Sequence, residues 1–138
     1  MDIVVLIGRV LFVALFLGSA VGHLTQSKQM GGYAESKGVP FGQLSVLASG
    51  VLLALGGLSV LLGVWADLGA LLLLAFLLPT ALVMHRFWEE SDAQAKQGEM
   101  INFQKNIALS GASLMLFAFF ANVQDLGLTL TGPLFHLS

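Results

Sequence analysis

The chain has 138 residues, a formal net charge of −2 and a mean hydropathy of +0.88, and only 10% of its residues are charged. The length fits a single domain, residues 1–138, and the charge balance excludes the basic surface of a nucleic-acid-binding protein. The sequence contains no cysteine, which excludes disulfides, dithiol chemistry and iron–sulfur clusters held by its own thiolates.

Four apolar runs follow one another along the chain: residues 3–24, 44–65, 68–87 and 103–121. A helix of about 20 residues crosses a hydrocarbon core about 30 Å thick, so each run is long enough to span a bilayer. The pattern predicts an all-α integral membrane protein, built as an antiparallel bundle of four transmembrane helices. The first run is interpreted as a span and not as a cleaved signal peptide, because it lacks a basic amino-terminal region and Arg9 interrupts it.

The connections between these runs differ in length. Residues 25–43 contain amphipathic side chains at helical spacing, and Gly38 followed by Pro40 is typical of a helix end, so a short interfacial helix is predicted there. The second and third runs are joined by the short segment Trp65-Ala66-Asp67, so they must be antiparallel neighbours. The segment from Ser91 has a capping-box pattern, which predicts a helix that begins there and continues into the fourth span.

Four spans place both termini on one side of the membrane, here called the terminal side. Loops 25–43 and 88–102 then lie on the other side, here called the loop side. Five of the six basic residues belong to the loop side, namely Lys28, Lys37, Arg86, Lys96 and Lys105. The positive-inside rule therefore predicts that these loops are cytoplasmic.

Polar and aromatic residues gather where the predicted spans reach the loop side. They predict a wet pocket at this interface, which could hold a quinone head group, a small anion or a side chain of a protein partner. The alternative is an ordinary interfacial belt of aromatic and basic residues. Two histidines without a fixed motif do not predict a metal site. The predicted pocket residues are His23, His85, Arg86, Trp88, Asn102, Lys105 and Asn106.

Arg9 lies about two turns inside the first span, where a charge is costly unless it is paired or reaches the interface. Asp67, which begins the third span, is the predicted partner in a structural ion pair. Asp125 and Gln124, which end the fourth span, are alternatives at the same membrane level. Snorkelling of the arginine to the interface without a partner is the other possibility.

Small residues form a ridge on a different face of the first span from Arg9, at Ala14, Gly18 and Gly22. Such a ridge allows a second helix to approach closely, either within the bundle or from a protein partner or a second copy of the chain. Serine and asparagine stripes on the second and fourth spans would suit a small permease, but inward leucines such as Leu52 and Leu74 interrupt a polar path.

The order and spacing of five segments resemble the DoxX family of small four-span membrane proteins of bacteria and archaea. The resemblance covers nearly the whole chain, and the His-x-Phe-Trp and Phe-x-Lys-Asn segments are its most specific parts. One departure is Ala48-Ser49-Gly50, where many members of the family carry an acidic residue. The segments are Gly8-Arg9 with Gly22-His23-Leu24, Tyr33 to Pro40, Leu53 to Gly57, His85 to Trp88, and Asn102 to Leu109.

The resemblance implies a location in the cytoplasmic membrane of a prokaryote. Members include membrane subunits of an archaeal thiosulfate:quinone oxidoreductase, and others associate with oxidative-stress and sulfur enzymes. It therefore implies a small membrane subunit or anchor for a redox or stress-response partner, in contact with lipid and with that partner or a second copy. We expect no cofactor bound to the chain alone, quinone as a possible ligand, and no enzymatic activity without a partner. A non-enzymatic assembly or scaffold protein and a small solute or ion permease are the alternatives.

Overall fold

The computed structural model describes residues 1–123 and 125–137, and the regular elements in them are all helical, as predicted. A 3-10 turn, Phe87–Glu89, lies between the last two α-helices. Within the described residues, three helical stretches are long and apolar enough to cross a membrane, Asp2–Thr25, Gly42–Leu62 and Ala66–Glu89. The α-helices are α1 Asp2–Thr25, α2 Ser27–Ser36, α3 Gly42–Leu62, α4 Ala66–Met84 and α5 Ala93–Asn122.

Helix α5 contains the fourth predicted span but begins ten residues before it. The Asp92 carboxylate accepts a hydrogen bond of 2.9 Å from the Ala95 N–H, and this N-cap fixes the start of the helix. Its 30 residues make a helix about 45 Å long. The apolar part of α5 carries Asn106, Ser110 and Ser113, which lower its hydropathy relative to the other three long helices.

The long helices pack in the order α1, α3, α4, α5, and the short α2 lies against α3 on the loop side. Helices α1 and α5 do not pack extensively against each other. The short α2 confirms the helix predicted after the first span. The arrangement leaves space between α1 and α5 that α3 and α4 enclose from behind.

Large side chains fill the middle and the terminal-side half of the bundle. Each of them is at most 2% exposed, so this half is a packed core. Glycines let α3 and α4 come close together there: a Cβ on Gly56 would lie 2.9 Å from the Leu73 side chain and 3.2 Å from the Gly69 carbonyl oxygen. The core residues are Val13, Phe16, Leu53, Val60, Leu73, Leu77 and Phe120.

The turn between α3 and α4 is tight because Gly63 adopts a left-handed conformation, with φ of 68°. The Val64 N–H donates to the Ser59 carbonyl oxygen at 3.1 Å, which closes a Schellman motif at the end of α3. The next helix begins at Ala66. The two helices are therefore antiparallel neighbours, as the short segment between the two runs predicts.

Helix α2 crosses α3 where Gly31 of α2 faces Gly42 of α3. This contact supplies a test of the packing. A Cβ on Gly31 would lie 2.5 Å from the Gln43 backbone nitrogen, whereas nothing lies within 4 Å of a Cβ on Gly32. We expect Gly31→Ala to displace α2 and to lower the free energy of unfolding by about 1–3 kcal/mol, the usual cost of overpacking. Gly32→Ala is the matched control and should not destabilise. Thermal unfolding of the detergent-solubilised variants measures the difference, and equal midpoints would show that the helices do not cross this closely.

Candidate functional site

A cavity of about 900 Å³ occupies the loop-side half of the bundle, and all five α-helices contribute to its wall. The carboxyl-terminal half of α1, the first turns of α3, the last turns of α4 and the middle of α5 surround it. Helix α2 covers it on the loop side. Its wall is mostly apolar, with Leu15, Phe16, Met30, Val46, Leu52, Phe76, Leu77, Met84 and Leu109 among the lining residues.

A hydrogen-bonded chain joins α1 to α3 on one side of the cavity. His23 Nδ1 lies 2.8 Å from Ser49 Oγ, and the Ser49 hydroxyl donates to the Val46 carbonyl oxygen at 2.8 Å. The edge of the His23 ring packs against Phe76 on α4, with 5.7 Å between ring centroids. Close approach of the two backbones permits this chain, since a Cβ on Gly50 would lie 2.9 Å from the His23 Cβ.

Asn106 supplies a polar group from the opposite wall, on α5. Asn106 is only 6% exposed, and no hydrogen bond to its side-chain amide is found within the described residues. The fully enclosed side-chain oxygen without a partner there is Ser113 Oγ, on the same helix. Because Asn106 lines the cavity, its amide is available to a ligand. Lys105, its neighbour in sequence, is exposed and also lines the cavity.

The structure brings four of the seven predicted pocket residues to the cavity wall, namely His23, His85, Lys105 and Asn106. It separates the other three, Arg86, Trp88 and Asn102, from this wall. The prediction extended the third span to residue 87, whereas α4 ends at Met84. Arg86 and Trp88 follow the end of α4, so helical spacing does not place their side chains on the face that lines the cavity.

Arg86 belongs instead to a polar clamp that ties the two loop-side connections together. Its guanidinium donates to the Lys37 carbonyl oxygen at 2.6 Å and to the Glu89 carboxylate at 3.2 Å. The Lys37 ammonium donates to Glu90 at 3.3 Å. This hydrogen bond raises the pKa of Lys37, so the ammonium remains charged at neutral pH.

Trp88 and His85 also have partners on α5. Trp88 forms edge-to-face contacts with Phe87 and Phe103, with ring centroids 5.2 and 5.7 Å apart, and is half exposed. His85 Nδ1 lies 2.9 Å from the Glu99 carboxylate. These contacts fix the 3-10 turn against the start of α5, beside the cavity mouth.

The cavity includes polar residues that the predicted pocket did not contain. Ser49 belongs to a serine and glycine stripe on α3 that the sequence shows, but the stripe fits a packing surface equally well. Helix α2 supplies Gln29 and Tyr33, α1 supplies Ser19, and Gln26 lies between the two helices. Their amphipathic spacing is visible in the sequence, but the direction that α2 takes over the bundle is not.

Ser49 also stands within the segment that departs from the usual DoxX pattern. It contacts His23, near the loop-side end of α1, whereas Arg9 lies near the terminal-side end. The departure therefore changes the cavity wall and does not deprive Arg9 of a partner.

Arg9 and Asp67 have separate partners, which corrects the predicted ion pair. Arg9 is 3% exposed, and its guanidinium donates to the carbonyl oxygens of Val60, Leu61 and Leu128, at 2.9, 2.5 and 3.0 Å. The first two carbonyls end α3, where backbone acceptors lack helical partners and the helix dipole favours a cation. The arginine is satisfied by backbone and needs no carboxylate.

Asp67 lies in the first turn of α4 and is fully buried. Its two carboxylate oxygens accept hydrogen bonds from the Leu134 and Phe135 N–H groups at 2.9 and 2.6 Å. Asp125, the alternative partner for Arg9, is exposed and accepts a hydrogen bond from the Gly127 N–H. Gln124, the other alternative, lies outside the described residues.

Residues 125–137 thus form a segment that folds back over the terminal side of the bundle. Besides the bonds to Arg9 and Asp67, the Leu130 and Thr131 N–H groups donate to the carbonyl oxygens of Leu62 and Gly63, at 3.1 and 2.9 Å. The segment closes the end of the bundle that lies away from the cavity.

The long apolar helices and the packed core define a multi-pass integral membrane protein with a cavity in its loop-side half. The sequence profile of the DoxX family matches residues 4–86, and the chain belongs to this family. Its curated relatives include inner membrane protein YphA of Escherichia coli (strain K12), 27% identical over 114 residues that cover 83% of this chain and 81% of YphA. No solved structure matches the chain.

A stability measurement can distinguish whether Arg9 is held by backbone carbonyls or by an ion pair with Asp67. Arg9→Ala leaves three carbonyl oxygens without their charged donor, and we expect the free energy of unfolding to fall by about 3 kcal/mol. Asp67→Ala should also destabilise, and the double variant should be no more stable than either single variant. Chemical unfolding in detergent measures all three. Recovery of stability in the double variant would instead show that the two charges depend on each other.

Proposed function

We propose that the chain is a four-span subunit of a prokaryotic inner membrane that binds a quinone in the loop-side cavity and serves a redox partner protein. The observation that carries this proposal is the cavity of about 900 Å³, apolar along its walls and with the Asn106 amide in one wall. Small-molecule sites commonly combine such a size and lining with a few polar groups that orient the ligand.

The cavity chemistry fits an amphipathic aromatic ligand. The apolar walls would take a substituted ring and part of an isoprenoid tail, and the Asn106 amide and the Lys105 ammonium would donate to ring oxygens. Helices α1 and α5 both line the cavity without packing extensively on each other, which offers a tail a route toward lipid. The sequence shows no cysteine and no dinucleotide-binding glycine loop, so electrons would come from a cofactor on the partner.

The packed core is the observation against a permease. Beyond the cavity, Leu53, Leu73 and Phe120 are at most 1% exposed and fill the interior toward the terminal side. A solute that entered the cavity would meet apolar side chains and then the folded-back segment 125–137. The cavity therefore fits a binding site better than a channel.

The scaffold alternative is favoured by the small-residue ridge of α1. Ala14 and Gly18 are exposed, and nothing lies within 4 Å of a Cβ on Gly18 or Gly22. The ridge thus faces away from the bundle, where a helix of another protein could pack. A redox subunit needs such a contact too, so ligand binding is the property that distinguishes the two functions.

Helix α5 is the fourth span in this proposal. It packs along α4 and buries Asn106, Ser110 and Ser113, so its polar side chains avoid the lipid. The relative's name places that protein in the inner membrane, and five basic residues on the loop side favour a cytoplasmic location for both loops.

Topology can be tested with single cysteines, because the native chain has none. Ser36→Cys and Gln94→Cys should be protected from an impermeant thiol reagent in intact cells, and His136→Cys should react; all three positions are exposed. The opposite pattern would reverse the orientation. Equal reaction of Gln94→Cys and His136→Cys would show that α5 does not cross the membrane.

Ligand binding can be tested by filling the cavity without removing a polar group. Ala48 and Val51, one turn apart on α3, are both exposed, but Ala48 lines the cavity and Val51 does not. A photoreactive azidobenzoquinone should label the wild-type protein in lipid nanodiscs, and an excess of a short-chain benzoquinone should suppress the labelling. Ala48→Phe should abolish the suppressible labelling, because the phenyl ring occupies the cavity.

Val51→Phe is the control for this experiment, since it adds the same ring to the outer surface of α3. It should be labelled like the wild-type protein. If Ala48→Phe and Val51→Phe are labelled equally, the quinone does not bind in the cavity, and the scaffold function is favoured.

A further inference from the structure

The hydrogen-bond chain of His23 determines which ring nitrogen carries the hydrogen. The Ser49 hydroxyl has a single hydrogen and lies at 2.8 Å from both the Val46 carbonyl oxygen and His23 Nδ1. If it donates to the carbonyl, Ser49 Oγ accepts from His23 Nδ1. This arrangement satisfies both contacts at once, because a carbonyl cannot donate. The neutral imidazole then has its hydrogen on Nδ1, and Nε2 is a hydrogen-bond acceptor.

The neighbours of His23 across the bundle are apolar. The ring packs edge-on against Phe76, and no described carboxylate lies within ion-pair distance of it. Nε2 has no hydrogen-bond partner among the described residues, and His23 lines the cavity. A ligand in the cavity thus meets an acceptor at His23.

The opposite wall offers donors to the same ligand. The Asn106 amide can donate through its nitrogen or accept through its oxygen, and the Lys105 ammonium only donates. A quinone, which has only acceptor oxygens, would satisfy Asn106 and Lys105 but leave His23 Nε2 unpaired. A hydroquinone has hydroxyl groups that both donate and accept, and it would satisfy all three.

We infer that the cavity selects the reduced form of its ligand, a hydroquinone whose hydroxyl donates to His23 Nε2. This inference rests on the proposed quinone-type ligand and specifies the redox state that the site prefers. One additional ordinary hydrogen bond corresponds to about a tenfold difference in affinity between the reduced and the oxidised form. The subunit would then hold a hydroquinone more strongly than the corresponding quinone.

The test compares a decyl-substituted benzoquinone, its hydroquinone, and the dimethyl ether of that hydroquinone. Isothermal titration calorimetry with the protein in lipid nanodiscs measures each affinity, and empty nanodiscs correct for partition into lipid. We expect the hydroquinone to bind about tenfold more tightly than the quinone. The dimethyl ether keeps the ring and tail but cannot donate, so it should lose this advantage.

Two substitutions of His23 separate its nitrogens. His23→Asn keeps an N–H close to the position of Nδ1 and removes the Nε2 acceptor, so the preference for hydroquinone should disappear. His23→Gln carries an amide oxygen that reaches toward the position of Nε2, and it should retain part of the preference. Lys96→Ala removes an exposed charge on α5 away from the cavity and should keep the wild-type ratio of affinities.

The outcomes distinguish this inference from the proposed function. If quinone and hydroquinone bind to the wild-type protein with equal affinity, the inference is wrong and the quinone site stands. If neither binds more than to empty nanodiscs, both are wrong. A preference for hydroquinone that persists in His23→Asn would also overturn the assigned role of His23.

Discussion

The buried guanidinium of Arg9 is the contact that the terminal side of the bundle depends on. It joins α1, the last turn of α3 and the folded-back segment through three carbonyl oxygens. An arginine inside a membrane span is costly without such partners, so the three elements must meet at this point. Asp67, at the start of α4, accepts hydrogen bonds from the same folded-back segment, at a helix end where the dipole favours an anion. Each charge lies at the helix end that suits its sign, and the segment 125–137 is held between them.

This closed end explains how so small a protein can contain a large cavity. The packed core around Leu53, Leu73 and Phe120 lies next to the Arg9 and Asp67 contacts, and together they hold the long helices on the terminal side. Toward the loop side the helices are held by α2, by the close contact at Gly50 and by the Arg86 clamp. The space between these supports does not have to be filled by side chains, so it is available to a ligand.

The groups around the cavity also indicate how the proposed site could contribute to the redox chemistry of a partner. A site that holds one redox form of a membrane-soluble ligand more tightly changes the potential at which that ligand reacts with a partner, without any reaction at the site itself. In the hydroquinone site that we infer, His23, Ser49 and Asn106 would supply this difference through hydrogen bonding. The outward ridge at Gly18 and Gly22 offers a place on the same α1 helix for that partner.

The sequence by itself determined the features that depend on local order along the chain. Hydropathy located the long helices, Gly38 and Pro40 marked the end of α2, and the tight turn made α3 and α4 antiparallel neighbours. The tertiary structure decided the partners. Arg9 binds backbone carbonyls, which every residue carries and which no side-chain pattern reveals. Arg86 and Trp88 lie outside the cavity wall because α4 ends at Met84. Ser49 belongs to the wall because α1 and α3 approach closely at Gly50. These contacts join residues far apart in sequence, so only the packed helices could show them.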